Sequence, residues 1–288
     1  MSLTGRTAIV TGAAAGLGRA EALALAARGA TVVVNDIGEP KDVVAEIEAA
    51  GGKAVAVAGD VGDRATADAL TEAALDLGGL DIVVNNAGVL RDKMLFSMSD
   101  DDWDTVLRVH LRGHFLLSRN AAKHWRDKSK ADGKPVYGRL VNTASEAFLI
   151  GSPGQPNYAA AKAGITALTM SAARGLAKYG VRANAICPRA RTAMTEGVFG
   201  AAPENTPAGA DPLSVEHVAP FVAYLASPAA EPVNGQVFVV HGGTVALVEA
   251  PRIEQRWSLD ELETSVSAFF ADRDPGRMFA ATEILGES

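Results

Sequence analysis

A single cysteine, Cys187, stands among 288 residues, so no internal disulfide framework holds the chain together and the small stapled folds of secreted proteins are excluded. Long hydrophobic runs are missing as well: Gly, Asp, Arg or Asn interrupts every apolar stretch well before the roughly 20 residues that cross a bilayer. Nor is there an excess of positive charge. Lys and Arg total 27 against 34 Asp and Glu, a formal net charge of -7, which argues against nucleic acid or an anionic membrane as partner. The first six residues carry neither a signal-peptide apolar core nor a transit-peptide bias, and a cytoplasmic location is expected. What is present is an ordinary globular composition, 48% hydrophobic and 21% charged, able to bury a large core.

Short runs of Val, Ile and Ala alternate with longer Ala/Leu stretches at helical spacing, the pattern of an α/β chain with a doubly wound parallel sheet. The predicted strands are TAIV (7–10), ATVVV (30–34), KAVAV (53–57), DIVVN (81–85), GRLVN (138–142), RANAI (182–186) and QVFVV (236–240). Their near-continuous apolar character implies cover on both faces. Helices are expected over 19–28, 41–50, 65–77, 101–118 and 159–179. No internal boundary interrupts the series, so residues 1–248 are read as one catalytic domain and 249–288 as a C-terminal extension.

In that extension Ser258 and Glu261 form an S-x-x-E capping box ahead of Leu259, Leu262, Val266, Phe269 and Phe270, the signature of a short amphipathic helix. Its apolar face belongs on its own domain, on a neighbouring subunit or over a substrate pocket. The basic stretch 119–139 reads as a solvated helix end and loop. It enters a strand at the amino end, whereas ligands of open α/β sheets bind at the carboxyl ends.

Directly after the first strand comes TGAAAGLG, with Gly12, Gly16, Leu17 and Gly18 opening a helix. Glycines there permit a tight bend, close approach of a pyrophosphate to the backbone and close helix-on-sheet packing, and the helix N-terminus favours the anion. Asp36 ends the second strand, where a carboxylate accepts hydrogen bonds from the adenosine ribose and repels a ribose phosphate. No Lys or Arg adjoins it in VNDIGEP, so NAD is predicted over NADP. Asp60 and Val61 follow the third strand as a polar and an apolar contact for adenine. Asn86, Ala87 and Gly88 follow the fourth, small enough to let the cofactor approach.

Tyr158 and Lys162 form Y-x-x-x-K, which places both on one helical face. A tyrosine phenol ordinarily ionises only near about pH 10 and is a poor base at neutral pH, but a nearby ammonium and an oxidised nicotinamide both favour phenolate. Ser145 follows a predicted strand and is placed to hydrogen-bond a substrate oxygen.

TGAAAGLG, NNAG, Ser145 and YAAAK occur in the order and approximate spacing of the short-chain dehydrogenase/reductase family, which the chain resembles over about residues 2–243. The resemblance implies a single-domain, three-layer Rossmann-type sandwich around a seven-stranded parallel sheet, hydride exchange with nicotinamide, and usually a homotetramer. It further implies that Tyr158 moves the proton, that Lys162 also binds the nicotinamide ribose and that Ser145 positions the carbonyl. Pro188 and Thr192 would meet the cofactor near the nicotinamide carboxamide or the phosphates.

Two departures stand out. Where the family usually has an asparagine that anchors a relay water, RVHLRGHF places His110, an imidazole that can still carry a proton or hold water. With His114 it makes an i, i+4 pair, but the glutamate of a zinc helix is missing and no metal is expected. Past the sixth strand the family's Pro-Gly is replaced in CPRARTAMTE. Arg189 and Arg191 there are read as salt-bridge partners, with a phosphate contact as the alternative.

That variant, with VVVNDIG, SDDDWD, VHLRG and PGQPNYAAAK, is similar to the hydroxyacyl-CoA dehydrogenase portion of peroxisomal multifunctional enzymes of type 2 and their bacterial relatives. It implies a 3-hydroxyacyl/3-oxoacyl thioester substrate. The alternatives are a 17β-hydroxysteroid or other alicyclic alcohol, and a non-catalytic nucleotide-binding protein in which His110 has spoiled the relay. Residues 194–211, which mix Val198 and Phe199 with Pro203, Pro207 and Gly209, are expected to form a mobile loop over the substrate.

Overall fold

Short strands with Val, Ile or Leu at their middle positions make the centre of the sheet. Strands β1 (Thr7–Thr11), β4 (Ile82–Asn85) and β5 (Gly138–Thr143) are buried along their whole length. They are flanked by β2 (Thr31–Asp36), β3 (Lys53–Ala58), β6 (Val181–Pro188) and β7 (Val237–His241). The order is β3-β2-β1-β4-β5-β6-β7, all parallel, with an antiparallel β8 (Thr244–Leu247) added at the edge of β7. Val10 of β1 pairs with Val34 on one side and Val84 on the other, so strand order reverses at β1/β4 and leaves a crevice at the carboxyl ends. This computed structural model describes residues 1–192, 194, 195, 200, 211–251, 253–271 and 273. The loop expected over 194–211 therefore lies for the most part outside the described residues.

The eighth strand corrects the expected count of seven. Its signal was in the sequence: Gly242 and Gly243 sit between His241 and Thr244, which pair across a two-residue hairpin, and Gly-Gly suits such a turn. TVAL is too short and too exposed to show an alternating pattern.

Helices cover both faces. On one, α1 (Gly16–Ala26), α2 (Lys41–Ala49) and α8 (Ala219–Leu225) bury Leu25, Ile47 and Val222 against the strands. On the other, α3 (Arg64–Asp76), α5 (Gly113–Asp132) and α7 (Pro156–Leu176) bury Leu70, Leu117, Trp125 and Ala173. Trp125, 1% exposed, donates its indole N–H to the Leu80 carbonyl at 2.7 Å, so its one polar group is satisfied inside the core. A one-turn α6 (Ala147–Ile150) stands between β5 and α7.

The expected helix 101–118 is in fact two helices joined by a π turn. Ser99 and Asp102 close a capping box at the head of α4 (Asp100–Leu107). Residues Arg108–Arg112 then widen into π geometry, and α5 continues to Asp132. The longer end is supported by the i, i+4 ion pairs Lys123–Asp127 and Lys128–Asp132.

In the extension, Ser258 accepts from the Asp260 amide, one residue short of the pairing with Glu261 that the sequence suggests. Helical geometry there is broken into a 3₁₀ turn (Leu259–Glu261), a π turn (Leu262–Val266) and a short α segment (Ser267–Ala271). Trp257 and Phe269 meet edge to face at 5.2 Å, while Leu259 remains 83% exposed. Among the described residues no helix is long and apolar enough to cross a membrane.

Candidate active site

A cavity of about 590 Å³ opens at the carboxyl ends of the parallel strands. Its walls include Gly12, Gly16, Leu17, Asp36, Asp60, Val61, Asn86, Ala87 and Gly88 at one end, and His110, Ser145, Tyr158, Lys162, Pro188 and Thr192 at the other. All the residues singled out in the sequence for cofactor or catalysis thus meet there except Gly18. A Cβ built on Gly18 would lie 2.3 Å from the Gly12 carbonyl oxygen and 2.6 Å from Asn86 Nδ2. The missing side chain of Gly18 lets the first turn of α1 close against the glycine loop and Asn86.

The nucleotide end is built from hydrogen bonds between side chains and the main chain. Thr11 Oγ1 accepts from the amides of Asn86 (3.0 Å) and Ala87 (3.2 Å), and Asn86 Nδ2 donates to the carbonyls of Thr11 and Gly12. The β4 loop is thereby fixed to the glycine loop. Asp36 accepts from the Ala14 amide through Oδ2 (2.9 Å) and from the Ile37 amide through Oδ1 (2.8 Å). A carboxylate keeps further lone pairs for a ribose hydroxyl. The first turn of α1 carries no acidic residue, so its free N–H groups and dipole face an anion without competition. Thr192 closes the cavity from across, its Cγ2 within 3.4 Å of a Cβ built on Gly16. These groups fit a dinucleotide.

Asp60 is less free than the sequence suggests. Its Oδ2 holds Arg108 Nη2 at 2.8 Å and its Oδ1 accepts from the Gly62 amide at 2.7 Å. Burial pushes its carboxyl up, but the hydrogen bonds from Arg108 and Gly62 outweigh that and hold it below the usual carboxylate range. With Arg112 Nε donating to the Gly62 carbonyl at 3.0 Å, the π turn is strapped to the loop after β3.

At the reacting end, Pro156 opens α7 in a position that suits its missing N–H. Asn157 anchors that opening: its side-chain amide donates to the carbonyls of Arg91 and Asp102, both at 3.0 Å, and its Oδ1 accepts from the Tyr158 amide at 2.8 Å. Asn157 sets where Tyr158 stands. Its signal in the sequence was no more than its place before the tyrosine.

Burial pushes the Tyr158 phenol up to about 12, and a hydrogen bond with Ser145 pulls the other way. Lys162, 2% exposed, donates to the Thr143 carbonyl at 2.5 Å, and its Nζ lies 5.3 Å from the centre of the tyrosine ring. Burial lowers its ammonium to about 7. Ser145 Oγ accepts from the Ala147 amide at 3.2 Å, which turns the chain into α6.

His110 lies in the π turn, 1% exposed. Its Nε2 is 3.0 Å from the Val89 amide nitrogen and 2.8 Å from the Val89 carbonyl oxygen, and donates or accepts according to tautomer. Its ring meets Tyr158 edge to face at 5.2 Å. Burial, aided by the charge of Lys162, holds it down at about 3. It is therefore a neutral hydrogen-bonding group near pH 7. Gly88 is glycine for the same reason: a Cβ there would come within 2.3 Å of His110 Cε1. The small residue after the fourth strand admits this imidazole.

Arg189 is taken up by Glu146 in two hydrogen bonds of 2.6 Å, and Arg191 reaches Asp211 at 3.2 Å. Among the described residues no cluster of three or more His, Cys, Asp or Glu is arranged to hold a metal ion.

A family model described as enoyl-(acyl carrier protein) reductase matches residues 12–245. The chain is 62% identical to the hydroxyacyl-CoA dehydrogenase ChsB1 of Mycobacterium tuberculosis, over 98% of this chain and 94% of that one. It is 42% identical to the peroxisomal multifunctional enzyme type 2 of Mus musculus over 84% of this chain, a match that spans 32% of the mouse protein. Among solved structures, a short chain dehydrogenase from Mycobacterium avium superposes with a TM-score of 0.83 at 46% identity, covering 96% of this chain and 98% of that one.

Proposed function

The chain belongs to the short-chain dehydrogenase/reductase family, oxidoreductases that act on hydroxyl and keto groups with a nicotinamide cofactor, and we propose that this member interconverts 3-hydroxyacyl and 3-oxoacyl thioesters with NAD. The observation that carries the reading is the meeting, in one cavity, of the glycine loop at the head of α1 with Ser145, Tyr158 and Lys162. The substrate class rests on the 62% identity to a hydroxyacyl-CoA dehydrogenase along nearly the whole of both chains. The choice of NAD rests on Asp36, whose carboxylate faces the place of a ribose phosphate. Lys41, the nearest cation in sequence, is paired with Glu39, and Arg19 at the head of α1 is paired with Glu46.

A nicotinamide bound there supplies the hydride acceptor in one direction and the donor in the other. The chain's own residues do the rest. Ser145 holds the substrate oxygen by hydrogen bond, and Tyr158 takes the hydroxyl proton or returns it to the alkoxide. Lys162 stabilises the phenolate through its ammonium, held in place by the Thr143 carbonyl. His110 and Asn157 fix the loop and the helix on which Tyr158 depends.

The half-exposed Phe115 and Trp103 on α5 and α4 suit the self-association usual in the family, and light scattering reads the oligomer directly. The catalytic reading is tested by nicotinamide absorbance with NAD and NADP against 3-hydroxyacyl-CoAs of several chain lengths and a panel of 17β-hydroxysteroids. NAD-linked turnover of the thioesters is expected. Turnover confined to steroids or other alicyclic alcohols would move the protein to the alternative substrate class, and NADH binding without turnover of anything in the panel would refute the enzyme reading.

A further inference from the structure

Glu146 and Arg189 follow two adjacent strands at their carboxyl ends. Glu146 comes right after Ser145, beyond β5, and Arg189 right after Pro188, at the end of β6. Their side chains are 15% and 8% exposed and join in a fork of two 2.6 Å hydrogen bonds, Nε to Oε2 and Nη2 to Oε1. Both partners are fixed from behind. The Arg189 amide donates to the Val240 carbonyl at 2.9 Å, the Ala144 amide to the Ile186 carbonyl at 2.7 Å, and Ser145 Oγ accepts from the Ala147 amide. The fork thus bridges the loop that presents Ser145 and the loop that runs from Pro188 to Thr192 along the cavity wall.

Burying an ion pair is an inefficient way to stabilise a fold, because desolvation cancels most of the attraction and apolar residues of similar size often serve as well. What a bidentate arginine–carboxylate fork supplies is direction, since it holds two planar groups in one relative orientation. In the reaction proposed above, one loop holds the substrate oxygen and the other faces the cofactor, and an error of about 1 Å between them costs on the order of 100-fold in rate. We propose that Glu146 and Arg189 are positioning residues whose fork sets the distance between the Ser145-bound substrate oxygen and the nicotinamide side of the cavity. The proposal rests on the dehydrogenase reading.

The test is a set of variants measured for kcat, NADH affinity, thermal midpoint and the primary deuterium isotope effect of the alcohol. Glu146→Gln is expected to lower kcat about 10- to 100-fold, to leave NADH affinity within about threefold and to raise the isotope effect, as hydride transfer becomes limiting. Glu146→Gln/Arg189→Met, which buries no charge at either position, is expected to recover the thermal midpoint but not kcat. In a Ser145→Ala background Glu146→Gln is expected to cost little more, because the two act through one contact. Recovery of kcat together with the thermal midpoint in the double variant would overturn the proposal, as would full additivity with Ser145→Ala or an unchanged kcat in Glu146→Gln. Wild-type protein is the separate control. If it oxidises no thioester, the substrate reading falls, and the same variants are then read on whichever secondary alcohol it does oxidise.

Discussion

Strands β5 and β6 carry ion pairs at both ends, and the two ends differ in water. At the amino ends Arg139 and Arg182 converge on Glu231, whose side chain is 54% exposed. Arg139 lies under it with its guanidinium 4.1 Å from the centre of the Tyr137 ring. At the carboxyl ends Glu146 and Arg189 are both nearly covered, and Tyr158, Lys162 and His110 line the same cavity as Ser145. The same chemical groups therefore do different work. Where solvent reaches the carboxylate, screening leaves a modest fastener of the fold. Where it does not, charge and orientation act on reacting atoms.

That contrast can be broken or sharpened by experiment. The largest effect is expected at the dry end: Tyr158→Phe should lower kcat by about 100-fold or more while NADH affinity holds, in the range lost with an acid/base group. Steady-state rates and NADH fluorescence titration check it. Equal turnover would move proton transfer away from the phenol.

Next comes pH. A phenol held up at about 12 keeps its proton in the free protein, so alcohol oxidation, which needs phenolate, should rise up to about tenfold per pH unit until pH passes the value to which Lys162 and a bound oxidised cofactor lower the phenol. Ketone reduction needs the protonated phenol and should stay level over that interval, falling only once pH passes the ionisation of the phenol. Rate–pH profiles in both directions are the check, and Tyr158→Phe should flatten both.

At the carboxyl end of β2, Asp36→Ala should shift the ratio of kcat/KM for NAD over NADP by about tenfold toward NADP, because it deletes a charge facing the added phosphate. A wild type that already prefers NADP would contradict the reading of Asp36.

Away from the cavity, effects should fall on stability alone. Glu21, on α1, is 0% exposed, neither of its oxygens has a hydrogen-bond partner among the described residues, and burial raises its carboxyl to about 8. It is neutral in the fold, but ionised in the unfolded chain above its ordinary 4.5. Stability should therefore fall as pH rises from about 4.5 to about 8 and stay flat beyond. Glu21→Gln should remove that slope and gain on the order of 1–3 kcal/mol near pH 8, about 2–4 °C of thermal midpoint for each. Melting curves across this pH range decide it. The smallest effect belongs to the wet end: Glu231→Gln should lower the midpoint by about 2–4 °C and leave kcat unchanged.

What the sequence made legible divides along similar lines. The glycine loop and the Tyr158/Lys162 pair are local patterns, each within a few residues, and backbone geometry alone dictates their spacing. Asp36 could be placed because a strand of known length carries it to the sheet edge. The Glu146–Arg189 fork joins residues 43 apart in the chain, and nothing local marks them as partners. Arg189 was legible as a salt-bridge partner at a departure from a family pattern, but its carboxylate was not. His110 was visible as an oddity, but its task of holding Val89, 21 residues away, needed the fold. The basic stretch 119–139 was legible as a helix end and loop, but where the helix stops was not, because that depends on the i, i+4 pairs Lys123–Asp127 and Lys128–Asp132. The break at Arg108–Arg112 was invisible to a search for a 3.6-residue repeat.

That π turn makes the chain tolerant of one kind of change. A π turn holds about one residue more than the α turn it replaces, and each α-helical residue advances the helix by about 100°. Removing one residue between Arg108 and Arg112 would let regular winding resume with Leu117, Ala121 and Trp125 still turned to the core, while displacing His110. Removing one residue between Ala121 and Trp125 would instead swing Trp125 by about 100° out of its buried place. In a library of single-codon deletions read for folding, the π turn should be the tolerant stretch and the body of α5 the gap.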